Sequence, residues 1–320
     1  MQTKLIGKQV LKDLKTKPES YWIKRGENSA LSLFREMAKR VPAYKKFLKK
    51  HKLNPAEIKT AADLKLVPAV DKENYLKAYP LKELCWDGKF DSERWTFAST
   101  SGTTGEPFYF PRALEQDLQY ALTAEIYLLN NFQIDKKSTL YVNGFAMGPW
   151  IGGVFTYEAI RLVAESGKYQ LSITTPGTNK AEIIKVVKKL GKQFDQIIIG
   201  GYPPFVKDAI DEGVSAGLNW KEYNLGFVFS AEGFSEGFRD HIIEQTGLKD
   251  PYYSSLNHYG TVDLGTMAHE TPECILIRKL AIKDQAVHAK VFTETNRLPT
   301  LAQYMPEMFY FEEEEGRLYC

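Results

Sequence analysis

The chain has 320 residues, about two domains' worth at ~150 residues per domain. Its 42 Lys and Arg residues nearly balance 40 Asp and Glu residues, a net charge of +2, so it lacks the basic excess typical of proteins that bind nucleic-acid backbones. A hydrophobic share of 43% and a charged share of 26% are ordinary for a globular protein with a large core, and they exclude a disordered chain.

The first part of the chain, to about Leu81, has the pattern of amphipathic helices. Apolar residues recur at helical spacing before Pro42 and continue the same stripe after it. Lysines 45, 46, 49, 50 and 52 surround the stripe and predict a solvated helix face. The stripe consists of Leu31, Phe34, Met37, Ala38, Val41, Tyr44, Phe47 and Leu48.

From Trp95 onward, short β-rich runs alternate with amphipathic helices. This alternation predicts an α/β fold with a mostly parallel sheet flanked by helices. The predicted strands are Trp95–Thr100, Phe108–Pro111, Thr139–Asn143, Tyr169–Thr174, Gln196–Ile199, Gly226–Ser230 and Tyr252–Leu256. The predicted helices are Leu114–Asn130, Val154–Glu165, Lys180–Leu190, Phe205–Ala216 and Ser235–Thr246.

The last part of the chain returns to a β-like pattern. Strands are predicted at Cys274–Leu280, Ala286–Thr293 and Met308–Phe311, and the final residues 317–320 resemble a strand entering a fold. We therefore expect a helical segment at 1–90, an α/β nucleotide- and acid-binding core at 91–265 and a β-rich end at 266–320. We also expect the chain to stop within a larger architecture.

Cysteine usage and the lack of targeting signals favour the cytoplasm. Cys85, Cys274 and Cys320 are far apart and form no CxxC pair, which is typical of reduced thiols. Residues 1–14 contain no continuous apolar block of the secretory kind, and the longest weakly polar stretch, Tyr141–Phe155, is too short to cross a bilayer. We expect no nucleic-acid partner and no membrane partner, and the sequence leaves a homodimer open.

The most informative segment is the loop Ser99–Pro107, which reads STSGTTGEP. Its glycines allow successive backbone N–H groups to converge into an anion-binding nest, and its hydroxyls add neutral donors for a polyphosphate. The loop is not a Walker A motif, because no GK[ST] closes it and a strand follows instead of a helix. Taken alone, it fits a Ser/Thr/Gly-rich surface turn equally well.

Five motifs in order along the chain resemble the adenylate-forming superfamily, and within it the phenylacetate–CoA ligase-like branch. The family's S-S-G-T-T-G-x-P loop matches Thr100–Pro107, with Thr100 replacing the first Ser. Its V-P-x-Y and L-P-x-x-x-K elements correspond to Val41–Tyr44 and Val67–Lys72. Its G-E-x-W-[ST]-E segment matches Ala231–Glu236, and its Y-G-x-[ST]-E segment loosely matches Tyr259–Asp263. The resemblance implies the fold of the large N-terminal domain of these enzymes.

The resemblance also implies roles for individual residues. Asp263 would hold Mg²⁺ against the ATP phosphates, and Thr261 would supply a hydroxyl to the α-phosphate; these two are the expected catalytic residues. The phosphate-binding residues would be Ser99, Thr100, Ser101, Gly102, Thr103, Thr104 and Gly105. The nucleotide-binding residues would be Ala231, Glu232, Gly233, Asn257, His258, Tyr259, Gly260 and Thr261.

An acyl pocket is expected in the aromatic, glycine-rich segment 143–153, which resembles the family segment that faces the acid. Apolar side chains mixed with glycines suit a flat organic acid in a dry pocket, although the same residues could be ordinary core. Glycine-rich turns after three predicted strands support a ligand site at that edge of the sheet. The expected pocket residues are Phe145, Met147, Trp150, Ile151, Gly152, Tyr202 and Pro203.

The implied reaction joins a carboxylic acid, expected to be aromatic, to the α-phosphate of ATP and then transfers the acyl group to CoA. An adenylating subunit that passes its acyl or AMP group to another acceptor is one alternative. A nucleotide-binding module without turnover is another, which the replacement of the usual hydroxyl residue by Val262 would allow. The family's lid domain with its catalytic Lys would follow Cys320, so we expect weak activity from this chain alone. His258, His269, Glu273 and Cys274 fit no closed zinc site, and no structural zinc is expected.

Overall fold

The computed structural model describes residues 6–91, 94–100, 106–248, 250–293 and 298–320. Its α-helices are α1 (Gly7–Thr16), α2 (Glu19–Arg40), α3 (Pro42–Lys50), α4 (Leu81–Leu84), α5 (Leu114–Phe132), α6 (Ile151–Glu165), α7 (Lys180–Leu190), α8 (Pro203–Ser215), α9 (Glu236–Thr246), α10 (Pro272–Lys283) and α11 (Gln285–Val291). Its strands are β1 (Thr96–Ser99), β2 (Tyr109–Arg112), β3 (Thr139–Asn143), β4 (Leu171–Thr174), β5 (Gln196–Gly201), β6 (Leu225–Phe229), β7 (Ser255–Thr261), β8 (Gly265–His269), β9 (Gln303–Tyr304), β10 (Glu312–Glu314) and β11 (Arg317–Tyr319). Short helical turns lie at Pro55–Glu57, Ala61–Leu66, Lys72–Leu76, Trp86–Gly88, Gly191–Gln193 and Trp220–Glu222.

The chain forms two compact units. Residues 1–15 and 96–304 make the larger unit, and residues 16–95 and 305–320 make the smaller one. In the smaller unit, α2 and α3 pack around a core that contains Phe34, Tyr44 and Phe47. This core includes the apolar stripe predicted from the sequence, and the lysines around it are exposed as expected.

The larger unit is built on a seven-stranded sheet in the order β4-β3-β5-β6-β7-β8-β9. The strands from β4 to β7 pair in parallel, whereas β8 pairs antiparallel with both β7 and β9. The predicted α/β fold with a mostly parallel sheet is therefore confirmed. Because the parallel strands point the same way, their carboxyl ends meet at one edge.

Helices cover both faces of this sheet, because successive side chains along β5 are apolar and point to opposite faces. Ile198 enters the core that α5 and α6 form on one face, while Ile197 and Ile199 enter the core that includes residues of α7, α8 and α9 on the other. All three isoleucines are at most 1% exposed. A continuous apolar run of this kind is typical of a parallel strand buried on both faces.

The buried Glu125 of α5 fastens the start of the chain to this unit. Its carboxylate accepts hydrogen bonds from the Gly7 backbone N–H at 2.6 Å and the Tyr169 hydroxyl at 2.7 Å, and it lies 3.3 Å from Lys168 Nζ. A Cβ on Gly7 would lie 2.7 Å from this carboxylate, so the close approach requires glycine. A negative charge at the first turn of α1 also complements the helix dipole.

Several predicted helices and strands have nearly the bounds that the structure shows, and most of the wrong predictions lie after Asp263. The predicted strand Thr139–Asn143 and the predicted helix Lys180–Leu190 have the bounds of β3 and α7. The predicted strands Cys274–Leu280 and Ala286–Thr293 are wrong, because helices α10 and α11 occupy these positions. Thr271 and Asp284 start these helices by accepting backbone N–H bonds with their side chains, a cap signal that outweighs the β-like pattern.

Three smaller corrections concern the bounds of individual elements. Residues 308–311 form no strand; the short strands β9, β10 and β11 lie elsewhere in 303–319. Helix α6 begins at Ile151, earlier than expected, and β7 starts at Ser255 and continues to Thr261. In the part of the chain that the structure describes, no helix is long and apolar enough to cross a bilayer.

Candidate active site

A cavity of about 540 Å³ opens at the carboxyl edge of the parallel strands. It collects residues that follow β1, β3, β5 and β6, together with residues of α5, α6 and the β7–β8 turn. Ligands of open α/β sheets bind at this edge, where helix N-termini and loops converge. The lining residues are Ser99, Thr100, Tyr120, Phe145, Ala146, Trp150, Ile151, Gly152, Phe155, Thr156, Tyr202, Ser230, Ala231, His258, Gly260, Thr261, Val262, Gly265 and Thr266.

The Ser/Thr/Gly-rich loop begins and ends on an antiparallel hairpin at this cavity. The expected phosphate ligands Ser101, Gly102, Thr103, Thr104 and Gly105 lie outside the described residues. On either side of them, Thr100 N–H donates to Phe108 O at 3.1 Å, and Phe108 N–H donates to Thr100 Oγ1 at 3.0 Å. Ser99 N–H also donates to Pro149 O at 2.8 Å, so the hairpin is joined directly to the expected acyl segment.

Asn143 shapes the expected acyl segment from the end of β3. Its fully buried side chain donates to Gly153 O at 2.8 Å and accepts from the Phe145 N–H at 3.3 Å, which holds the two ends of the turn together. The end of the neighbouring strand β5 has no room for a side chain at Gly200, because a Cβ there would lie 2.4 Å from the Tyr141 hydroxyl. Glycine at this position therefore leaves room for the Tyr141 side chain on the same face of the sheet.

A hydrogen bond joins the expected acyl and nucleotide segments at the mouth of the cavity. The Tyr202 hydroxyl donates to Glu232 Oε2 at 2.6 Å, and this bond to a carboxylate raises the pKa of Tyr202. Asn257 Nδ2 in turn donates to Glu232 O at 3.0 Å. Ala231 between these contacts has φ = 78°, a conformation that suits the glycine of the family segment better than alanine.

The β7–β8 turn carries the two residues expected to be catalytic. A bulge at Tyr259/Gly260 leads into it, and a Cβ on Gly260 would lie 2.3 Å from Gly265 O. The Thr261 hydroxyl donates to Asp263 Oδ1, which also accepts the Leu264 N–H at 3.1 Å. Asp263 is exposed beside the cavity that Thr261 lines.

The cavity brings together most, but not all, of the expected site residues that the structure describes. Residues from the expected phosphate, nucleotide and acyl groups lie in its wall: Ser99, Thr100, Ala231, His258, Gly260, Thr261, Phe145, Trp150, Ile151, Gly152 and Tyr202. Outside the wall lie Met147, which is 38% exposed, and Pro203, the first residue of α8. Glu232, Gly233, Asn257, Tyr259 and Asp263 also lie outside it, in segments adjoining wall residues.

The sequence reasoning missed Gly265 and four wall residues with larger side chains. Tyr120, Phe155 and Thr156 come from the buried faces of α5 and α6, and Thr266 comes from β8. The Tyr120 hydroxyl and Thr156 Oγ1 are 3.3 Å apart, and either can donate. The sequence did contain one signal for Tyr120 and Thr156. A hydroxyl on an otherwise apolar face of a helix is expected to be buried and to need a hydrogen-bond partner there.

His258 and His269 are buried neutral imidazoles. Burial lowers the pKa of His258 to about 3, with a further contribution from the neighbouring His269, and burial lowers the pKa of His269 to about 4. The Tyr127 ring contacts both imidazoles, at centroid distances of 4.7 Å and 5.8 Å. His258 is therefore an uncharged imidazole at neutral pH.

A buried ionic network holds the segments around Glu232 and Asn257 in place. Glu270 accepts bonds at 2.8 Å from Asn257 N–H, from Arg239 Nη2 and from Arg278 Nη1. Arg278 Nη2 also donates to Phe234 O at 2.8 Å, and Glu236 pairs with both arginines. The four charged groups are at most 2% exposed and cancel in charge, so each is compensated by the others.

The donors near Asp263 suit Mg²⁺ better than a transition metal. The described residues contain no group of three or more His, Cys, Asp or Glu side chains placed to hold a metal ion. Mg²⁺ commonly uses one or two carboxylates and completes its shell with water and substrate phosphates. The Asp263 carboxylate at the exposed turn fits that requirement.

Comparisons with known proteins agree on the fold. No family model matches the chain, and no curated protein sequence matches it. Among solved structures, 2-hydroxyisobutyryl-CoA ligase with 2-HIB-AMP and CoA in the thioesterification state matches with a TM-score of 0.65 and 17% identity, over 80% of this chain and 53% of the ligase. The open conformation of that ligase with 2-HIB-AMP and CoA matches with a TM-score of 0.60 and 17% identity, over 77% and 55%. Its postadenylation state with 2-HIB-AMP matches with a TM-score of 0.60 and 15% identity, over 80% and 52%.

The chain spans about half the length of the ligases it matches. Similarity at this identity defines the fold, which is that of the N-terminal domain of adenylate-forming enzymes. The fold expected from the sequence motifs is thus confirmed.

Replacing Glu270 by Gln should lower the free energy of unfolding by about 3–5 kcal/mol, because it leaves two buried guanidinium groups with only Glu236 as a counter-charge. Denaturant unfolding followed by circular dichroism measures this change. Glu273→Gln, an exposed change three residues away, should cost less than about 1 kcal/mol. Equal small effects from both variants would mean that the network contributes little to stability.

The two buried histidines should make the protein less stable as the pH falls from about 6.5 to 4. In this range the unfolded chain binds protons at imidazoles that stay neutral when folded, because their folded pKa values are about 3 and 4. Each histidine then adds up to about 1.4 kcal/mol per pH unit to the slope of the free energy of unfolding against pH. Unfolding midpoints measured across this range should show a shallower slope for His258→Gln than for the wild type. An unchanged slope would contradict the assignment.

Proposed function

We propose that this chain binds ATP and a carboxylic acid and aligns them for formation of an acyl-adenylate, whose acyl group then passes to the thiol of CoA. The observation that carries the proposal is the single cavity where the hairpin of the Ser/Thr/Gly-rich loop, the segment 143–153 and the strands before Ala231 and Thr261 converge. The fold shared with CoA ligases supports it, and so do the motifs that resemble the same superfamily.

The nucleotide would lie between the hairpin and the ends of β6 and β7. Ser99 and Thr100 at the hairpin, with the loop residues 101–105 between its strands, would donate to the phosphates. Ala231, Glu232 and Gly233 would lie along one side of the adenine, with Asn257, His258 and Tyr259 on the other. The Asn257–Glu232 hydrogen bond supports this assignment, because it fixes the spacing of these two segments before any ligand binds.

The acid would enter the part of the cavity walled by Phe145, Trp150, Ile151 and Phe155, with Gly152 and Tyr202 beside them. Met147 and Pro203, the other residues expected here, flank this wall from outside it. Aromatic and aliphatic walls favour a flat, apolar acyl group, and an aromatic acid of the phenylacetate type fits this chemistry.

Catalysis would rest on alignment and charge stabilisation, since the substrate carboxylate itself attacks the α-phosphorus and pyrophosphate leaves. No protein nucleophile is required. Asp263 would hold Mg²⁺, which supplies positive charge to the phosphates when bound. Thr261, whose hydroxyl contacts Asp263, would orient that carboxylate or donate to the α-phosphate.

The function is tested by pyrophosphate exchange with Mg·ATP and a panel of aryl and aliphatic acids, with and without CoA. Acid-dependent exchange together with CoA thioester formation is the expected result. Exchange without thioester in the presence of CoA would favour an adenylating subunit with another acceptor. Nucleotide binding without any exchange would favour a binding module, which the valine at position 262 would allow.

Replacing Asp263 by Ala should remove the Mg²⁺ dependence of ATP binding and leave AMP binding much less affected, because Asp263 would hold the Mg²⁺ that neutralises the charge of the outer phosphates, which AMP lacks. Isothermal calorimetry with ATP and AMP, each with and without Mg²⁺, measures both effects. Asp208→Ala on the exposed surface of α8 is the matched control and should retain wild-type binding. Equal losses for ATP and AMP would make Asp263 a structural residue.

A further inference from the structure

Neighbouring strand ends bring the expected acyl and nucleotide segments side by side. In the parallel sheet, Gly201 at the end of β5 pairs with Phe229 at the end of β6, and Phe229 pairs with Asn257 of β7. Tyr202 directly follows β5, and Glu232 lies three residues beyond the end of β6. The two side chains therefore leave adjacent strands at the carboxyl edge, where the cavity opens.

These two side chains meet in a short hydrogen bond. The Tyr202 hydroxyl donates to Glu232 Oε2 at 2.6 Å, a distance typical of bonds from a hydroxyl to an ionised carboxylate. Both residues are exposed, Tyr202 to 42%. Because water competes for both groups, the bond contributes little to the stability of the fold, and its removal leaves the core intact.

The backbone on both sides of this bond is held by other contacts. Pro203 and its neighbouring proline begin α8 immediately after Tyr202, and their rings restrict the backbone there. Glu232 O accepts a hydrogen bond from Asn257 Nδ2 at 3.0 Å, and the Asn257 N–H donates to the buried Glu270 at 2.8 Å. A ligand that binds here therefore acts mainly on the two side chains.

Tyr202 and Glu232 belong to different expected subsites. Tyr202 lines the cavity beside the acyl wall, and Ala231, the neighbour of Glu232, lines it on the nucleotide side. An acid that packs on the Tyr202 ring fixes the position of its hydroxyl, which in turn holds the Glu232 carboxylate in one orientation. A nucleotide that contacts the Glu232 segment acts in the opposite direction along the same bond, because coupling between two ligands is reciprocal.

We infer that the hydrogen bond between Tyr202 and Glu232 couples the acid site to the nucleotide site, so that each ligand binds more tightly when the other is present. The inference rests on the proposed function, because it concerns the two substrates of the same cavity. Tyr202 and Glu232 are positioning residues in this role. Each holds the side chain of the other, and neither takes part in the transfer at phosphorus.

The coupling is measured by isothermal calorimetry on the whole chain. The nucleotide probe is α,β-methylene-ATP with Mg²⁺, whose methylene bridge prevents the release of pyrophosphate, and the acid probes are benzoate, phenylacetate and hexanoate. The coupling factor is the dissociation constant of the acid alone divided by its value in the presence of the nucleotide probe. We expect a factor of about 5 or more for the acid that binds most tightly.

Variants of the two residues test whether this bond carries the coupling. Tyr202→Phe keeps the ring and removes the hydroxyl, and it should lower the coupling factor by about 3-fold or more. Glu232→Ala should lower it equally, and the double variant no further, because both changes remove the same bond. Glu232→Gln keeps an acceptor for the hydroxyl and should retain part of the coupling.

The comparison uses a ratio, so effects that are common to all variants cancel. Repulsion between the acid and the phosphates is one such effect, because none of the variants alters either ligand. Tyr253→Phe is the matched control: Tyr253 is a tyrosine of similar exposure, 43%, outside the cavity wall, and its variant should keep the wild-type factor.

The outcomes separate this inference from the proposed function. If both ligands bind and the coupling factor is the same in Tyr202→Phe as in the wild type, the inference is wrong and the proposed function stands. Additive losses in the double variant would mean that the two residues act separately, which also contradicts the inference. Tighter binding of both ligands to Tyr202→Phe would make the bond a barrier at the cavity mouth instead. Failure of the nucleotide probe, or of every acid, to bind the folded wild-type protein would overturn both the proposed function and the inference.

Discussion

A parallel sheet buried on both faces imposes the main constraint on this protein. Every strand from β4 to β7 must run in the same direction, so all their carboxyl ends meet at one edge. The backbone groups and side chains beyond this edge are not used by the sheet, and they are free to form a cavity. The candidate site therefore follows from the direction of the strands, and its details follow from the segments that leave them.

Those segments are held by polar contacts that are buried rather than exposed. Asn143 closes the turn after β3, and Glu270 with its two arginines fixes the segments after β6 and within β7. A buried carboxylate that accepts bonds from three groups tolerates little movement, because each lost bond leaves a charge without compensation. This rigidity is what a site needs if it is to act by alignment rather than by a protein nucleophile.

The sequence by itself determined the alternation of strands and helices, the edge of the sheet at which the cavity lies and the motifs that resemble adenylate-forming enzymes. These features are local, because apolar runs such as Ile197–Ile199 and glycine-rich turns identify themselves within a few residues. Only the tertiary structure decided that α10 and α11 replace expected strands, that Tyr120 and Thr156 join the cavity wall, and that Glu270 connects distant segments. These features depend on contacts between residues far apart in the chain, and no short pattern records which buried polar groups will meet.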